Sequence, residues 1–378
     1  MQSTSAGFSA KVKGVIFGGA VGDALGGPIE TMHYRFIRKL HNGKVSDMIP
    51  YKTRPSDFHQ AGEGRGAYAW SDKAGTYTDD TRLANLISAC IVEKKGRITA
   101  DDLARTWMKH MAVETFWYSI SNSYFRVAVS RTPVREAGAG NIPDNSSAMC
   151  IGPIGAINFG NPAQAALDAY DVASLSHDGY SREAAAMIAA AVAEACKPNT
   201  SVKAVVEAAI NYLPNKETSL MYEKMMVALE LADKAKDTEE LTEWYYRDLI
   251  VPWIRRTDKI PQDSERMSLS VDPRESVPCA IAMFYKNDGN FRSSVLSAAN
   301  FGRDCDTIAC MTGYIAGAYN GIDGIPEKWV KMVKEANPDP DLDQVCAGIV
   351  EALLAEKTRM QAQIDLIAEP SSKTDRKK

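Results

Sequence analysis

The 378-residue sequence has no long hydrophobic run, no marked excess of one charge and no paired cysteine motif. No stretch approaches the ~20 apolar residues of a membrane span, so a membrane protein is not expected. The formal net charge is −4 and the basic residues are dispersed, which argues against a nucleic-acid-binding surface. The seven cysteines form no C-x-x-C motif and predict reduced thiols in a cytoplasmic protein.

The N-terminal segment superficially resembles a signal peptide, because Lys11 and Lys13 precede the apolar stretch from Gly14 to Leu25. The stretch is short and Asp23 interrupts it. Export is therefore not expected.

The sequence also lacks a Pro/Ser/Gly-rich linker, a long internal repeat and a convincing run of alternating strand pattern. Apolar residues recur at helical spacing instead, as at Leu83, Ile87 and Ile91. These features predict one all-α domain over residues 1–368 and a disordered tail over 369–378. Helices are predicted at Ser181–Cys196, Ser201–Tyr212, Ser219–Lys236, Glu239–Leu249, Glu275–Tyr285, Phe291–Ala299 and Asp306–Asn320.

Two short acidic clusters lie more than two hundred residues apart, and each runs into a helical stretch. They are Thr78-Asp79-Asp80-Thr81 and Asp304-Cys305-Asp306-Thr307. Asp and Thr before an apolar run are also ordinary helix N-caps, so capping alone could explain either cluster. A cap uses one acidic residue, however, and adjacent carboxylates repel unless a cation joins them. Their hard oxygen donors suit Mg²⁺ or Mn²⁺ better than Zn²⁺.

Small residues at helical spacing predict close helix packing near these clusters. Gly18 and Gly22 precede the first cluster, and Gly313 and Gly317 follow the second. Glycine costs ~1 kcal/mol relative to alanine in a helix interior, so close packing or a neighbouring ligand should compensate. We expect a helical core with the acidic clusters at one end.

The segment from Met32 to Thr76 is rich in Pro and Gly and lies directly before the first acidic cluster. Long irregular segments in such a place are usually functional. We interpret residues 32–76 as a loop or lid that lines a cleft, and a solvated insertion is the alternative.

Five motifs in one fixed order extend the pattern beyond the two clusters. They are Gly22-Asp23-Ala24-Leu25-Gly26 followed by Glu30, Thr78-Asp79-Asp80-Thr81, Asp144-Asn145-Ser146-Ser147-Ala148-Met149, Ser174-Leu175-Ser176-His177, and Gly302-Arg303-Asp304-Cys305-Asp306-Thr307-Ile308-Ala309. In this order they resemble the ADP-ribosylglycohydrolases, which include dinitrogenase reductase–activating and ADP-ribosyl-acceptor hydrolases. The resemblance implies a compact orthogonal helical bundle.

The resemblance also implies a Mg²⁺- or Mn²⁺-dependent hydrolase that releases ADP-ribose from an ADP-ribosylated acceptor by cleaving a bond at C1″. Glu30 and Asp79 are the implied catalytic residues, since a carboxyl group must donate or accept a proton near the anomeric carbon. The implied ligands of two metal ions are Thr78, Asp79, Asp80, Asp304, Asp306 and Thr307. The implied residues around the substrate are Asp23, Asn145, Ser147, Met149, His177, Gly302 and Arg303.

Arg303 departs from the family pattern, which has glycine there, and Cys305 stands where threonine is usual. A cation directly before a helix N-terminus is disfavoured by ~0.3–1 kcal/mol, so an anion should face Arg303. Glu275, Asp72 or an acidic group of the substrate could supply it. If the substrate does, Arg303 narrows the cleft.

Two other functions stay open at this point. One is a hydrolase of a nucleoside or another small N-ribosyl compound. The other is a non-enzymatic protein that binds ADP-ribose. The sequence leaves the acceptor, the oligomeric state and the choice between Mg²⁺ and Mn²⁺ open.

Overall fold

Seventeen α-helices make up the part of the chain that the computed structural model describes, residues 2–53, 72–213, 216–250 and 268–368. Within these residues no strand is present and β-type pairing is confined to isolated bridge residues, such as the pair His33 and Gly302, so the all-α prediction is confirmed. The helices are α1 Gln2–Gly26, α2 Tyr34–Leu40, α3 Asp79–Lys94, α4 Ala100–His110, α5 Tyr118–Ala128, α6 Ser146–Met149, α7 Gly152–Ile157, α8 Pro162–Ala173, α9 Tyr180–Ala195, α10 Val202–Asn211, α11 Leu220–Lys234, α12 Thr238–Asp248, α13 Pro273–Lys286, α14 Phe291–Ala299, α15 Cys305–Asn320, α16 Glu327–Ala336 and α17 Leu342–Ala368.

The predicted helix boundaries hold to within two residues, and α14 matches its prediction at both ends. The start of α13 shows why boundaries move. We expected it at Glu275, but Asp272 accepts a hydrogen bond from the backbone N–H of Arg274 and Pro273 occupies the first helical position. An Asp cap followed by proline is a favourable helix start, so α13 begins two residues earlier.

The pairing of α1 with α15 brings the two acidic clusters towards one end of the molecule. A Cβ atom added to Gly18 would lie 2.3 Å from the carbonyl oxygen of Gly313, and one on Gly14 would lie 2.1 Å from that of Gly317. The small residues therefore serve close packing along this interface. At its far end a Cβ on Gly26 would lie 2.3 Å from the Cα of Asp306. The end of α1 thus rests against the start of α15.

One cluster of buried apolar residues runs from Val12 in α1 to Ala352 in α17. All seven cysteines are free and buried, in agreement with the expected reduced thiols. None of the described helices has the length and apolar character needed to cross a membrane. The single-domain limits of 1–368 stay a prediction.

The segment 32–76 is less irregular than we expected, because α2 lies within it. Tyr51–Thr53 adds one 3₁₀ turn. Residues 54–71 lie outside the described part of the chain, as does the predicted tail at 369–378. The interpretation of 32–76 as a cleft loop stays a prediction.

Candidate active site

The first acidic cluster forms the start of α3, and Thr78 is its N-cap. The Thr78 hydroxyl accepts a hydrogen bond from the backbone N–H of Asp80 and donates one to Oδ2 of Asp80 at 3.0 Å. Asp79 and Asp80 occupy the first turn, where the helix dipole favours negative charge. Capping therefore accounts for Thr78, and neither Asp79 nor Asp80 is the capping residue.

Asp23 on α1 holds this turn in place. Its Oδ1 accepts the backbone N–H of Thr78 at 2.8 Å, and its Oδ2 accepts the hydroxyl of Thr81 at 2.5 Å. The Asp23 side chain has no exposed surface. Burial raises its pKa above the ordinary value, although these hydrogen bonds oppose the shift. Asp23 thus orients the first cluster.

The second cluster forms the start of α15. Asp304 precedes the helix and makes no side-chain cap bond to it, and Asp306 lies in its first turn. Glu30 follows the short 3₁₀ helix after α1 and approaches both. One carboxylate oxygen from each of Glu30, Asp304 and Asp306 lies within 4.8 Å of the other two. The structure therefore adds Glu30 to the acidic residues that could hold a metal ion.

The buried carboxyls of the two clusters affect one another. Burial raises the pKa of Asp80, Asp304 and Asp306 well above the ordinary value. Neighbouring negative charges raise them further, chiefly that of Asp306 for Asp80 and Asp304, and that of Glu30 for Asp306. The two clusters therefore form one site, in which a cation would favour the charged carboxylates.

Two buried carboxylate oxygens of this site are candidates for metal binding. Oδ1 of Asp80 and Oδ1 of Asp306 are buried and have no hydrogen-bond partner among the described residues. A buried acceptor without a partner is costly unless something else satisfies it. With Glu30 and Asp304, these groups make an all-oxygen donor set of the kind that Mg²⁺ and Mn²⁺ prefer.

Asn145 links the second cluster to α13. Its side-chain N–H₂ donates to Oδ2 of Asp304 at 2.6 Å and to the hydroxyl of Ser276 at 3.0 Å. Near it, the Thr307 hydroxyl lies 3.9 Å from the sulfur of Met149. No motif in the sequence points to Ser276, because its role depends on a contact across 131 residues.

His177 and Ser147, both predicted to line the substrate site, are buried and contact protein groups. Nε2 of His177 lies 2.7 Å from Oδ1 of Asp144, whose Oδ2 accepts the Ser119 hydroxyl at 2.6 Å. The Ser147 hydroxyl donates to the backbone oxygen of Ser181. These contacts orient the segment that leads into Asn145, and substrate contact by His177 or Ser147 stays a prediction.

Arg303 lies in a position that the sequence left open. Its guanidinium has no exposed surface and forms a paired contact with Glu275, with Nε 2.5 Å from Oε1 and Nη2 3.2 Å from Oε2. Glu275 is thus the anion that faces it, and Asp72 is exposed. Gly302 and Arg303 both have positive φ, 77° and 60°, and Gly302 pairs with His33. A substrate contact by either residue stays a prediction.

The fold and the site together define an all-α protein with an acidic, oxygen-donor centre at the meeting point of α1, α3 and α15. The family model described as ADP-ribosylglycohydrolase matches residues 4–363, and the chain belongs to that family. It is therefore a hydrolase of the ADP-ribosylglycohydrolase type, as the order of motifs predicted.

Comparisons with individual proteins agree with this membership. The chain is 22% identical over 353 residues to the ADP-ribosyl-[dinitrogen reductase] glycohydrolase of Rhodospirillum rubrum, covering 90% of this chain and 95% of that protein. A short stretch of 47 residues, 12% of this chain and 13% of that protein, is 43% identical to the ADP-ribosylarginine hydrolase Tri1 of Pseudomonas putida (strain GB-1). Among solved structures, an ADP-ribosylglycohydrolase-related protein complex has the same fold, with a TM-score of 0.62, 18% identity and coverage of 92% of this chain and 98% of that one.

Proposed function

We propose that this protein is a Mg²⁺- or Mn²⁺-dependent hydrolase that cleaves the C1″ bond of an ADP-ribosyl group and releases ADP-ribose from its acceptor. The proposal rests mainly on the geometry of three carboxylates: one oxygen each of Glu30, Asp304 and Asp306 lies within 4.8 Å of the other two. In the same site, Oδ1 of Asp80 and Oδ1 of Asp306 are buried and have no described hydrogen-bond partner. A cytoplasmic setting is part of the proposal and rests on the free cysteines.

The residues proposed to hold two ions are those at the starts of α3 and α15. Bound divalent cations would polarise oxygen atoms and lower the pKa of water. Glu30 joins the set on geometric grounds. The proposed ligands are Glu30, Thr78, Asp79, Asp80, Asp304, Asp306 and Thr307.

Exposure separates the carboxylates into two roles. Asp80, Asp304 and Asp306 are buried, whereas Glu30 and Asp79 keep part of their surface exposed. A general acid or base must come within hydrogen-bond reach of the proton it transfers, and a partly exposed carboxylate can be approached by water and substrate directly. We assign Glu30 and Asp79 as the candidates for this role. In the reaction, the oxygen of water bonds to C1″, the bond from C1″ to the acceptor breaks, and a proton from water reaches the departing acceptor.

The substrate assignment draws on the relatives' names, which specify ADP-ribosylarginine and ADP-ribosylated dinitrogen reductase. We propose an ADP-ribosylated protein side chain as the substrate class, with ADP-ribosylarginine as the first compound to test. Asn145 and Met149 lie beside the second cluster, and we keep them as residues near the substrate.

The test is release of ADP-ribose from ADP-ribosylarginine by protein stripped of metal with EDTA, then supplied with Mg²⁺ or Mn²⁺. Activity should be lost in EDTA and return with either ion, and Asp304→Asn should remain inactive while its circular dichroism spectrum stays helical. A nucleoside panel run in parallel tests the alternative substrate class. Full turnover in EDTA after exhaustive dialysis would contradict metal dependence, and turnover of nucleosides alone would contradict the substrate class.

A further inference from the structure

The residues next to Glu30 and Asp304 are joined by two backbone hydrogen bonds. The N–H of Thr31 donates to the carbonyl oxygen of Arg303 at 2.6 Å, and the N–H of Arg303 donates to the carbonyl oxygen of Met32 at 2.8 Å. Thr31 directly follows Glu30, and Arg303 directly precedes Asp304. The spacing between these two acidic residues therefore depends on where the Arg303 backbone lies.

This junction is built from unfavourable backbone conformations. Thr31 has a φ of 67° and Arg303 a φ of 60°. Positive φ is rare for residues with a Cβ and is a clear outlier for a β-branched residue such as Thr. Such conformations persist only where the surroundings hold them, and they concentrate at functional sites. Thr31 and Arg303 are hydrogen-bonded to each other beside the acidic centre, so neighbouring groups must stabilise both conformations.

The hydrogen bonds of the Arg303 side chain stabilise this backbone junction. Besides its paired contact with Glu275, its guanidinium donates to the hydroxyl of Ser268 and, at 3.4 Å, to the carbonyl oxygen of Leu269. Ser268 in turn donates its backbone N–H to the carbonyl oxygen of Thr31 at 2.9 Å. One buried arginine thus ties three separate chain segments together.

The anchor of this arrangement is α13. Glu275 lies in its first turn, and the next residue, Ser276, accepts the Asn145 N–H₂ that also binds Asp304. The same helix therefore fixes Asp304 by two routes. Asn145 holds its side chain, and Arg303 holds the adjoining backbone.

We propose that Arg303, paired with Glu275, is a positioning residue that fixes Glu30 against Asp304 and Asp306 and so sets the affinity of the acidic centre for divalent cations. This inference rests on the proposed metal site. It assigns Arg303 an indirect role, through the peptide bonds on either side of it, in place of contact with the substrate.

The test replaces the buried pair by apolar residues, Arg303→Met with Glu275→Met. Such a replacement usually preserves stability, whereas removal of one partner leaves a buried charge without compensation. We expect a folded protein whose dissociation constant for Mn²⁺, measured by calorimetry, is ~10- to 100-fold higher than that of the wild type, the range for groups that orient metal ligands. Arg303→Lys, which keeps the charge but loses the paired contact, should give an intermediate value and serves if the double variant does not fold.

A double-mutant cycle separates positioning from a general loss of stability. Glu30→Gln should weaken Mn²⁺ binding in the wild type but add little in the Arg303→Met, Glu275→Met background, where Glu30 is already displaced. Arg97→Met with Asp168→Met is the matched control, because it replaces another paired contact by the same apolar residues. It should leave Mn²⁺ affinity unchanged.

The outcomes distinguish the two proposals. If the wild type binds Mn²⁺ and the folded Arg303 variants bind it equally well, the positioning role is wrong and the metal site stands. Additive effects of Glu30→Gln and the double substitution would also overturn positioning through Glu30. A wild type that binds neither Mn²⁺ nor Mg²⁺ would overturn both proposals.

Discussion

At the scale of single residues, the site brings several buried carboxyl groups together. Asp23, Asp80, Asp304 and Asp306 are buried, and burial raises the pKa of each. Asp23 receives hydrogen bonds from the chain, whereas Asp80 and Asp306 each keep a buried oxygen without a described partner. The contrast separates the carboxylate that orients the site from those placed to bind an ion.

Glu30→Gln tests the proposed chemical role of the accessible carboxylate. The substitution keeps the side chain's size but removes its ability to take up a proton, so turnover at saturating metal should fall by ~10²–10⁴. Affinity for ADP-ribose should change little. Steady-state kinetics and calorimetry on the same variant provide the measurement. An unchanged kcat would assign Glu30 no part in the chemistry.

The buried pair of Asp144 and His177 predicts a pH-dependent contribution to stability. Burial alone would raise the pKa of Asp144, but His177, Ser119 and the backbone N–H of Ser146 lower it below the ordinary 3.8. The stabilisation is therefore present above about pH 4 and is lost as the pH falls through the lowered folded-state pKa. Asp144→Asn should cost ~1–3 kcal/mol of unfolding free energy at pH 7, because it removes a buried acceptor from its hydrogen-bond partners Ser119, Ser146 and His177.

The cost of Asp144→Asn should shrink below about pH 4, since the carboxyl of the unfolded wild type then takes up a proton, and that of the folded protein follows at its lowered pKa. Urea unfolding of both proteins from pH 7 to pH 3 measures this difference. Asp323→Asn, a substitution at an exposed site, is the control and should have little effect. A cost for Asp144→Asn that stays constant over the whole range would contradict the assigned role of Asp144.

At the scale of helices, the contact between α1 and α15 determines the distances between the acidic residues of the site. α1 carries Asp23 and ends four residues before Glu30, and α15 begins directly after Asp304. The glycines at the interface of the two helices leave no room for side chains. A Cβ on Gly22 would lie 1.9 Å from the carbonyl oxygen of Ala309. A wider separation of the two helices would move Asp23 and Glu30 away from Asp306.

Gly22→Ala should therefore destabilise the protein, although alanine is the better helix former. Overpacking of a tight interface costs ~1–3 kcal/mol, and a Cβ 1.9 Å from a backbone oxygen places Gly22 at the upper end, above the ~1 kcal/mol gained in helix propensity. Gly7→Ala is the matched control in the same helix, because nothing lies within 4 Å of its added Cβ. It should stabilise. Urea unfolding decides the matter, and equal effects of the two substitutions would contradict the proposed role of the interface.

At the scale of the whole molecule, the sequence indicated the helical class and the pairing of the two acidic clusters. Periodicity and capping residues predict helices, because both signals are local, as α14 shows. The motif order added the family. The contact of Asn145 with Ser276 and the geometry around Arg303 could not be predicted, since they depend on residues brought together by the fold. The sequence left Glu275, Asp72 and an acidic group of the substrate as candidates to face Arg303, and the packing of α13 selects Glu275.

Diffraction from crystals soaked in Mn²⁺ tests the central claim most directly, because the anomalous signal identifies the ion. We predict Mn²⁺ between the starts of α3 and α15, bound by oxygens of Asp80, Asp304 and Asp306, and absent from crystals of Asp306→Asn. The account would be contradicted by an acidic centre without Mn²⁺ in crystals that bind the ion elsewhere, or by equal occupancy in the Asp306→Asn variant.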